Sequence, residues 1–240
     1  MIKIVNLTKS YKNEDNVIDN INLEIKDGEI FGFIGQNGAG KTTTIKMITG
    51  ILQIDNGDIF IDGKSIKKEP VEAKKNLGLV PDSPDIFLKF KGIEYLNFIA
   101  DCYNVSKEDR TQKIEKYAKE FSIYDELDNK IESYSHGMRQ KIVIIGVLLH
   151  NPKNWILDEP ITGLDPKSSF DLKELMKKHA SSGNTVFFST HILEIAEKLC
   201  DRIAIINKGK IVFVGTLDEL RKKYGEENSL EEIFLKIIGD

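Results

Sequence analysis

Gly35-Gln36-Asn37-Gly38-Ala39-Gly40-Lys41-Thr42 decides how this chain is read. Before it stands Ile30-Phe31-Gly32-Phe33-Ile34, apolar on both faces, as expected of a strand covered on both sides. After it a helical pattern runs from Thr43 to Ile51. The spacing is G-x-x-x-x-G-K-[ST], and each part has a physical task. Glycines let the backbone curl so that its N–H groups converge on phosphate oxygens. The helix that follows offers the positive end of its dipole to the same phosphates. The Lys41 ammonium can reach the β- and γ-phosphates, and the Thr42 hydroxyl can sit on Mg²⁺. A glycine-rich turn with an exposed lysine would need neither the strand before nor the helix after. Gly35, Gln36, Asn37, Gly38, Ala39, Gly40, Lys41, Thr42 and Thr43 are therefore the expected phosphate cradle.

Working outward, Trp155-Ile156-Leu157-Asp158-Glu159-Pro160 is an apolar strand ending in two acids. Taken alone, those acids could be solvated carboxylates. In a parallel sheet, however, ligands gather at the carboxyl ends of the strands. That would bring Asp158 beside Lys41 and Thr42. Asp158 suits Mg²⁺, which prefers oxygen ligands and keeps some of its waters. Glu159, one residue further out, could accept a proton from a water attacking the γ-phosphate. Ser189-Thr190-His191 closes another apolar strand, Thr185 to Phe188. His191 is either a structural histidine or a γ-phosphate contact.

Composition narrows the class. With 240 residues the chain can form one large α/β domain, and 40% hydrophobic with 30% charged residues is ordinary for a globular protein. A net charge of −4 argues against a broad attraction to nucleic acid or anionic lipid. Cys102 and Cys200 match no metal spacing and read as thiols in a reducing compartment. Met1-Ile-Lys-Ile-Val-Asn lacks the apolar stretch of a signal peptide. The longest apolar run, Ile142 to Leu149, is broken by Gly146 and falls far short of the ~20 residues of a membrane span. The expected location is the cytosol, with any membrane role supplied by a partner.

The remaining patterns give the organisation. Ile21, Leu23 and Ile25 alternate as a half-buried strand, and Asp27-Gly28 turns the chain. Ile59-Phe60-Ile61 with Asp62-Gly63 reads as a hairpin, and Leu77 to Val80 as a short strand. Residues 84 to about 150 read mainly as helices, among them Ile114, Tyr117, Ala118 and Phe121 after a Ser106/Asp109 start signal. Strands return at Ile203 to Ile206 and, past the turn Asn207-Lys208-Gly209, at Ile211 to Val214. A helical tail, about 216–240, ends in a Ser229/Glu232 capping box. There Leu230, Ile233, Phe234, Ile237 and Ile238 share a face that could pack on its own domain or bind a membrane or partner.

One stretch between the phosphate cradle and Asp158 carries a family resemblance: Ser133-Tyr134-Ser135-His136-Gly137-Met138-Arg139-Gln140-Lys141. It is similar to the signature motif of ABC ATPases, usually Leu-Ser-Gly-Gly-Gln followed by polar and basic residues. Gly163-Leu164-Asp165-Pro166 resembles that family's D-loop. His191 falls at its switch histidine and Tyr11 at its adenine-stacking aromatic. The resemblance spans roughly residues 1 to 220. It implies a P-loop NTPase (RecA-like) α/β core with an antiparallel β subdomain and a helical subdomain at about 84–150, all in one ABC ATPase domain over 1–240. It also implies ATP hydrolysis with Mg²⁺ and a head-to-tail dimer with a second copy or a paralogous cassette. In that dimer Ser135 and Gly137 of one subunit face the γ-phosphate held by the other, and Asp165 lies at the shared site.

Three departures stand out. The glycine after the signature serine is His136, and the closing glutamine is Met138. The family's Q-loop glutamine falls at Asp82 in Leu79-Val80-Pro81-Asp82, a shorter and charged oxygen ligand for Mg²⁺. Such a signature resembles the branch serving exporters of drugs, peptides, lipids or polysaccharides. The expected protein is then the motor subunit of an exporter, peripheral on the inner face of the membrane through an integral-membrane subunit. A cassette without a membrane partner is the alternative, and an importer motor a third. The apolar loop residues Ile86, Phe87, Leu88 and Phe90 are expected either to plug into the helical subdomain or to line a groove for that membrane subunit.

Overall fold

The computed structural model describes residues 1–11, 16–225 and 229–239. Two sheets divide the strands. The first is antiparallel, with β1 (Ile2–Lys9) between β2 (Ile18–Ile25) and β4 (Asn56–Ile61), and β5 (Lys64–Ser65) at its edge. Ile2 and Ile4 of β1 register with Ile25 and Leu23 on one side and with Ile61 and Ile59 on the other, so one face of this sheet is a continuous apolar layer. The second sheet has the order β10-β9-β3-β8-β7-β6. Its parallel part comprises β3 (Ile30–Ile34), β6 (Leu77–Val80), β7 (Asn154–Asp158), β8 (Thr185–Thr190) and β9 (Arg202–Asn207), while β10 (Lys210–Gly215) closes the edge antiparallel to β9. Every residue of β3, β7 and β8 is buried, which is why these strands read as unbroken apolar runs.

Helix α1 (Lys41–Ile48) leaves the glycine-rich loop directly. It starts earlier than the periodicity from Thr43 suggests and stops before Ile51, because the N–H groups of Ile51 and Leu52 both turn back to Lys46 O. A short α2 (Pro70–Lys75) precedes β6. The helical region is α3 (Gly92–Cys102), α4 (Lys107–Glu120) and α5 (His136–His150). Ser106 caps α4 through Asp109 N–H, as its sequence signals. These three helices share one core with β6, β7 and α6 (Pro166–Ser181). Past α7 (Leu193–Leu199), the chain ends in α8 (Leu217–Tyr224) and α9 (Leu230–Ile238). The Ser229/Glu232 capping box of α9 forms. Leu230, Ile233 and Phe234 are buried against Ala196, Ile203, Ile205, Phe213 and Leu220, with Ile237 and Ile238 packed beside them. Of the two readings of this face, packing on its own domain is the one observed.

β7 is tied to α6 by Trp155 stacked on His179, ring centroids 4.1 Å apart. Burial holds the His179 imidazole at about 4, below its ordinary 6.5. The folded state therefore keeps this ring neutral where the unfolded chain would protonate it. Its stabilisation is complete above pH ~6.5 and is lost as pH falls towards ~4, a loss on the order of 3 kcal/mol. Urea midpoints at pH 7 and pH 4.5 should accordingly fall further for wild type than for His179→Gln. An equal fall would assign the acid sensitivity to other groups.

Candidate functional site

The parallel strands deliver their polar ends to one rim. Ile34 registers with Thr190, and Asp158 with Ser189, so the residues after β3, β7 and β8 emerge side by side. A cavity of about 380 Å³ opens there, bounded by Gln36, Asn37, Gly38, Gly40, Lys41, Thr42 and Thr43 of the cradle. Asp82, Glu159, Thr162, His191 and Val17 complete its wall.

The cradle is shaped by its own backbone. Gly40 sits at φ +110°, in the left-handed region, and a Cβ there would come 2.5 Å from Ile18 Cδ1. A Cβ at Gly35 would come 2.7 Å from Ile206 O, so the loop lies flat on β9 only as glycine. Gly40 gives α1 no side-chain cap and its first turn carries no acid. The N-terminal N–H groups of α1 are thus left for an anion. Lys41 is buried. Its Nζ donates to Gly35 O at 2.8 Å and Gln36 O at 3.2 Å and lies 3.4 Å from Glu159 Oε1. The ammonium is thus held within the loop by its own carbonyls.

The acids form the opposite wall. Asp158 accepts from the Ser189 hydroxyl and from the Thr42 hydroxyl. Burial raises its pKa; those two hydrogen bonds oppose the rise, and the charges of Asp82 and Glu159 add to it. Glu159 has φ +48°, a strained value for a non-glycine residue, and its N–H donates to Ser189 Oγ at 3.0 Å. His191 Nδ1 lies 3.0 Å from Glu159 Oε2. Glu159 Oε1 is buried and faces the Lys41 ammonium without a hydrogen bond, so this carboxylate oxygen can still accept one from a donor such as water.

These residues fit a divalent cation. Asp158, Thr42 and Asp82 offer hard oxygen donors, and crowding of negative charge around the buried Asp158 is what a cation would relieve. Among the described residues no three His, Cys, Asp or Glu side chains converge as a closed metal site.

The remaining sequence-derived residues stand elsewhere. Tyr11 is 43% exposed, follows β1 and is absent from the cavity wall. Ser135 is exposed at the start of α5, where its hydroxyl accepts from Met138 N–H at 3.3 Å. Gly137 packs against the loop after β7, where a Cβ would come 2.7 Å from Gly163 O. Asp165 caps α6, accepting from Ser168 N–H at 2.9 Å, and pairs with Lys141 at 2.7 Å, an ion pair that drives its carboxyl well below the ordinary range. Sequence reasoning missed Val17, Thr162 and Ser189. Ser189 was within reach, because a hydroxyl ends β8 in register with Asp158.

Residues 18–162, more than half of the chain, match the ABC transporter family. The chain is 33% identical to the linearmycin resistance ATP-binding protein LnrL of Bacillus subtilis, over 96% of this chain and 74% of that protein. It superposes on the solved ATP-binding subunit of an ABC transporter with a TM-score of 0.93 at 31% identity, covering 99% of both chains. It is also similar to the dimeric post-hydrolysis cassette MJ0796 bound to ADP and Pi, with TM-score 0.81 and 25% identity over 90% of this chain and 99% of that one. The chain belongs to the ABC transporter ATP-binding family. It is an ABC ATPase, with the P-loop α/β fold of that family.

Proposed function

We propose that this chain is the motor of an ABC exporter, hydrolysing ATP between two head-to-tail cassettes. The observation that carries the proposal is a division of groups. Lys41, Thr42, Asp158, Glu159 and His191 gather in or beside one open cavity, while Ser135 stands apart, exposed. A nucleotide in that cavity would have one phosphate face in water, and a second cassette presenting Ser135 and Gly137 would cover it. The cradle and α1 hold the phosphates, and Tyr11 stacks on the adenine. Glu159 accepts the proton of the attacking water, and His191 holds Glu159 and the γ-phosphate in place. Asp165 positions the loop between the two sites. Thr42, Asp158 and Asp82 would hold Mg²⁺, which would offset negative charge on the phosphates.

The membrane side of the proposal rests on the loop after β6. Ile86, Leu88 and Phe90 pack partly into the helical core. Phe87 does not follow them. It is 44% exposed, held at φ +49°, with its ring 5.4 Å from those of Phe90 and Phe98 and 5.6 Å from Tyr95. Phe98 is 41% exposed beside it. An exposed aromatic pair, with Phe87 in a strained backbone conformation, marks a docking surface for an apolar partner. Asp82 stands at the other end of this loop, and Asp85 pairs with Arg139 at 2.6 Å, so the loop touches both the cavity and the signature helix. No helix among the described residues is long and apolar enough to cross a membrane. We assign the surface to a cytoplasmic segment of a membrane subunit, the apolar partner that its exposed aromatics fit. Export is favoured by the form of the signature and by similarity to a resistance protein.

Phe87→Ala should weaken co-purification of the membrane subunit from native membranes by about tenfold, the scale of one lost aromatic anchor. Its melting temperature and ATP binding as an isolated subunit should stay unchanged. Phe90→Ala should lower both assembly and melting temperature. If Phe87→Ala unfolds the isolated subunit, or if no membrane protein co-purifies with wild type, the docking assignment fails.

A further inference from the structure

Phe170 is 62% exposed on α6. Lys173, Glu174 and Lys177 follow it at the i, i+3, i+4, i+7 spacing that shares one helix face. The opposite face of α6, through Leu172, Met176 and Ala180, is buried with Leu199 of α7 against Ile30, Val186 and Phe188 of the sheet. The two helices therefore lie on the same face of that sheet. Between them runs a groove of about 210 Å³, walled by Phe170 and Lys173 on α6 and by Glu194, Ile195, Lys198 and Leu199 on α7. A cavity of about 150 Å³ already accommodates benzene, so this groove has room for an aromatic ring.

Charge and position identify the occupant. Glu174 and Lys177 pair with each other at 2.9 Å, whereas Lys173, Glu194 and Lys198 make no ion pair among the described residues. A patch with an apolar knob, an apolar hole and free charges of both signs is complementary to itself. That is what a two-fold contact between identical subunits requires. The groove also begins beside the groups that the sandwich reading places between cassettes. Phe170 follows Asp165 by five residues, about 7.5 Å along the helix axis. Ile195 follows His191 by four, and Ile192 between them is exposed as well.

We propose that Phe170 and the α6–α7 groove form a second contact between two copies of this chain. The Phe170 ring of each copy seats against Ile195 and Leu199 of the other, and Lys173 of each pairs with Glu194 of the other. None of these residues lines the nucleotide cavity, so the contact adds cohesion to the closed dimer without touching ATP. It also selects the partner. A paralogous cassette lacking the aromatic knob and the matching charges would lose both anchors, which favours a second copy of this chain. The proposal rests on the sandwich described above.

The test uses a Glu159→Gln parent at saturating ATP. Phe170→Ala should raise the protein concentration needed for half-maximal dimerisation by about tenfold, the scale of one lost aromatic anchor. ATP binding by the monomer and its melting temperature should stay unchanged, because the ring is exposed before association. Lys173→Glu and Glu194→Lys should each weaken the homodimer by about fivefold, since each sets like charges opposite one another. Mixing these two variants should restore parent-like affinity in a heterodimer, where opposite charges meet at both contacts. Rearrangement within one subunit cannot produce that recovery. Parent-like dimerisation of Phe170→Ala, or no recovery on mixing, would overturn the contact. So would a monomer melting temperature that falls with Phe170→Ala, which would make the ring a support for its own α7. A parent that forms no ATP dimer would instead overturn the sandwich, and this proposal with it.

Discussion

Glu159→Gln should bind ATP at least as tightly as wild type and lose turnover by roughly 10²–10⁴-fold, the range for removing a general base. The amide cannot accept the proton of the attacking water. The structure explains why binding should survive. Lys41 is anchored by Gly35 O and Gln36 O as well as by Glu159, so the cradle keeps its shape when that charge is removed. One negative charge fewer also faces the incoming phosphates. His191 would lose the carboxylate 3.0 Å from its Nδ1 but could still hydrogen-bond the amide oxygen. With ATP bound and uncleaved, the two cassettes should stay associated. Steady-state phosphate release and ATP-dependent sizing check both halves of this expectation. Turnover near the wild-type rate would remove Glu159 from the role of base. Lys41→Ala should fail earlier, at nucleotide binding.

Ser135→Arg should abolish ATP-driven dimerisation while leaving nucleotide binding by the monomer intact. A bulky cation would replace a hydroxyl that must approach the partner's γ-phosphate closely. The structure adds a complication, because the same hydroxyl caps α5 through Met138 N–H. Losing that cap costs about 1 kcal/mol with arginine and alanine alike, since neither side chain can accept from the Met138 N–H. Ser135→Ala is therefore the control, since it loses the cap and the hydroxyl but adds no bulk. Both variants should show the same small drop in melting temperature. Only Ser135→Arg should remain fully monomeric at saturating ATP in the Glu159→Gln background. A dimer that survives Ser135→Arg would argue against a site shared between two cassettes.

Much of the fold was legible where physics is local. The covered strands β3, β7 and β8 could be read because burial on both faces demands unbroken apolar runs. The caps at Ser106 and Ser229 could be read because a cap bonds only within its own turn. β1 escaped because its alternation is interrupted. Its pairing with β2 shifts register between Ile4 and Leu7, where Asn6 takes φ +47°. The loop from Ile86 to Phe90 read as one apolar cluster, yet Phe87 is turned outward while its neighbours turn in. Composition cannot separate those outcomes.

The phosphate cradle is the part that the sequence determined by itself. Its shape depends on backbone torsions that Gly40 permits and on the helix that starts at Lys41, both set within a few residues. The order of the strands was decided only by the tertiary structure. Five parallel strands with apolar faces can be arranged in many ways, and nothing in the runs themselves states that β8 lies between β3 and β7. That order puts Ser189 between the cradle and the acids, where its hydroxyl bonds Asp158 and receives the Glu159 N–H. It also brings Glu159 against Lys41, residues far apart in the chain, and leaves the Gln140 amide buried without a partner. Contacts of this kind arise from packing whole elements against one another, which a local pattern of residues does not encode.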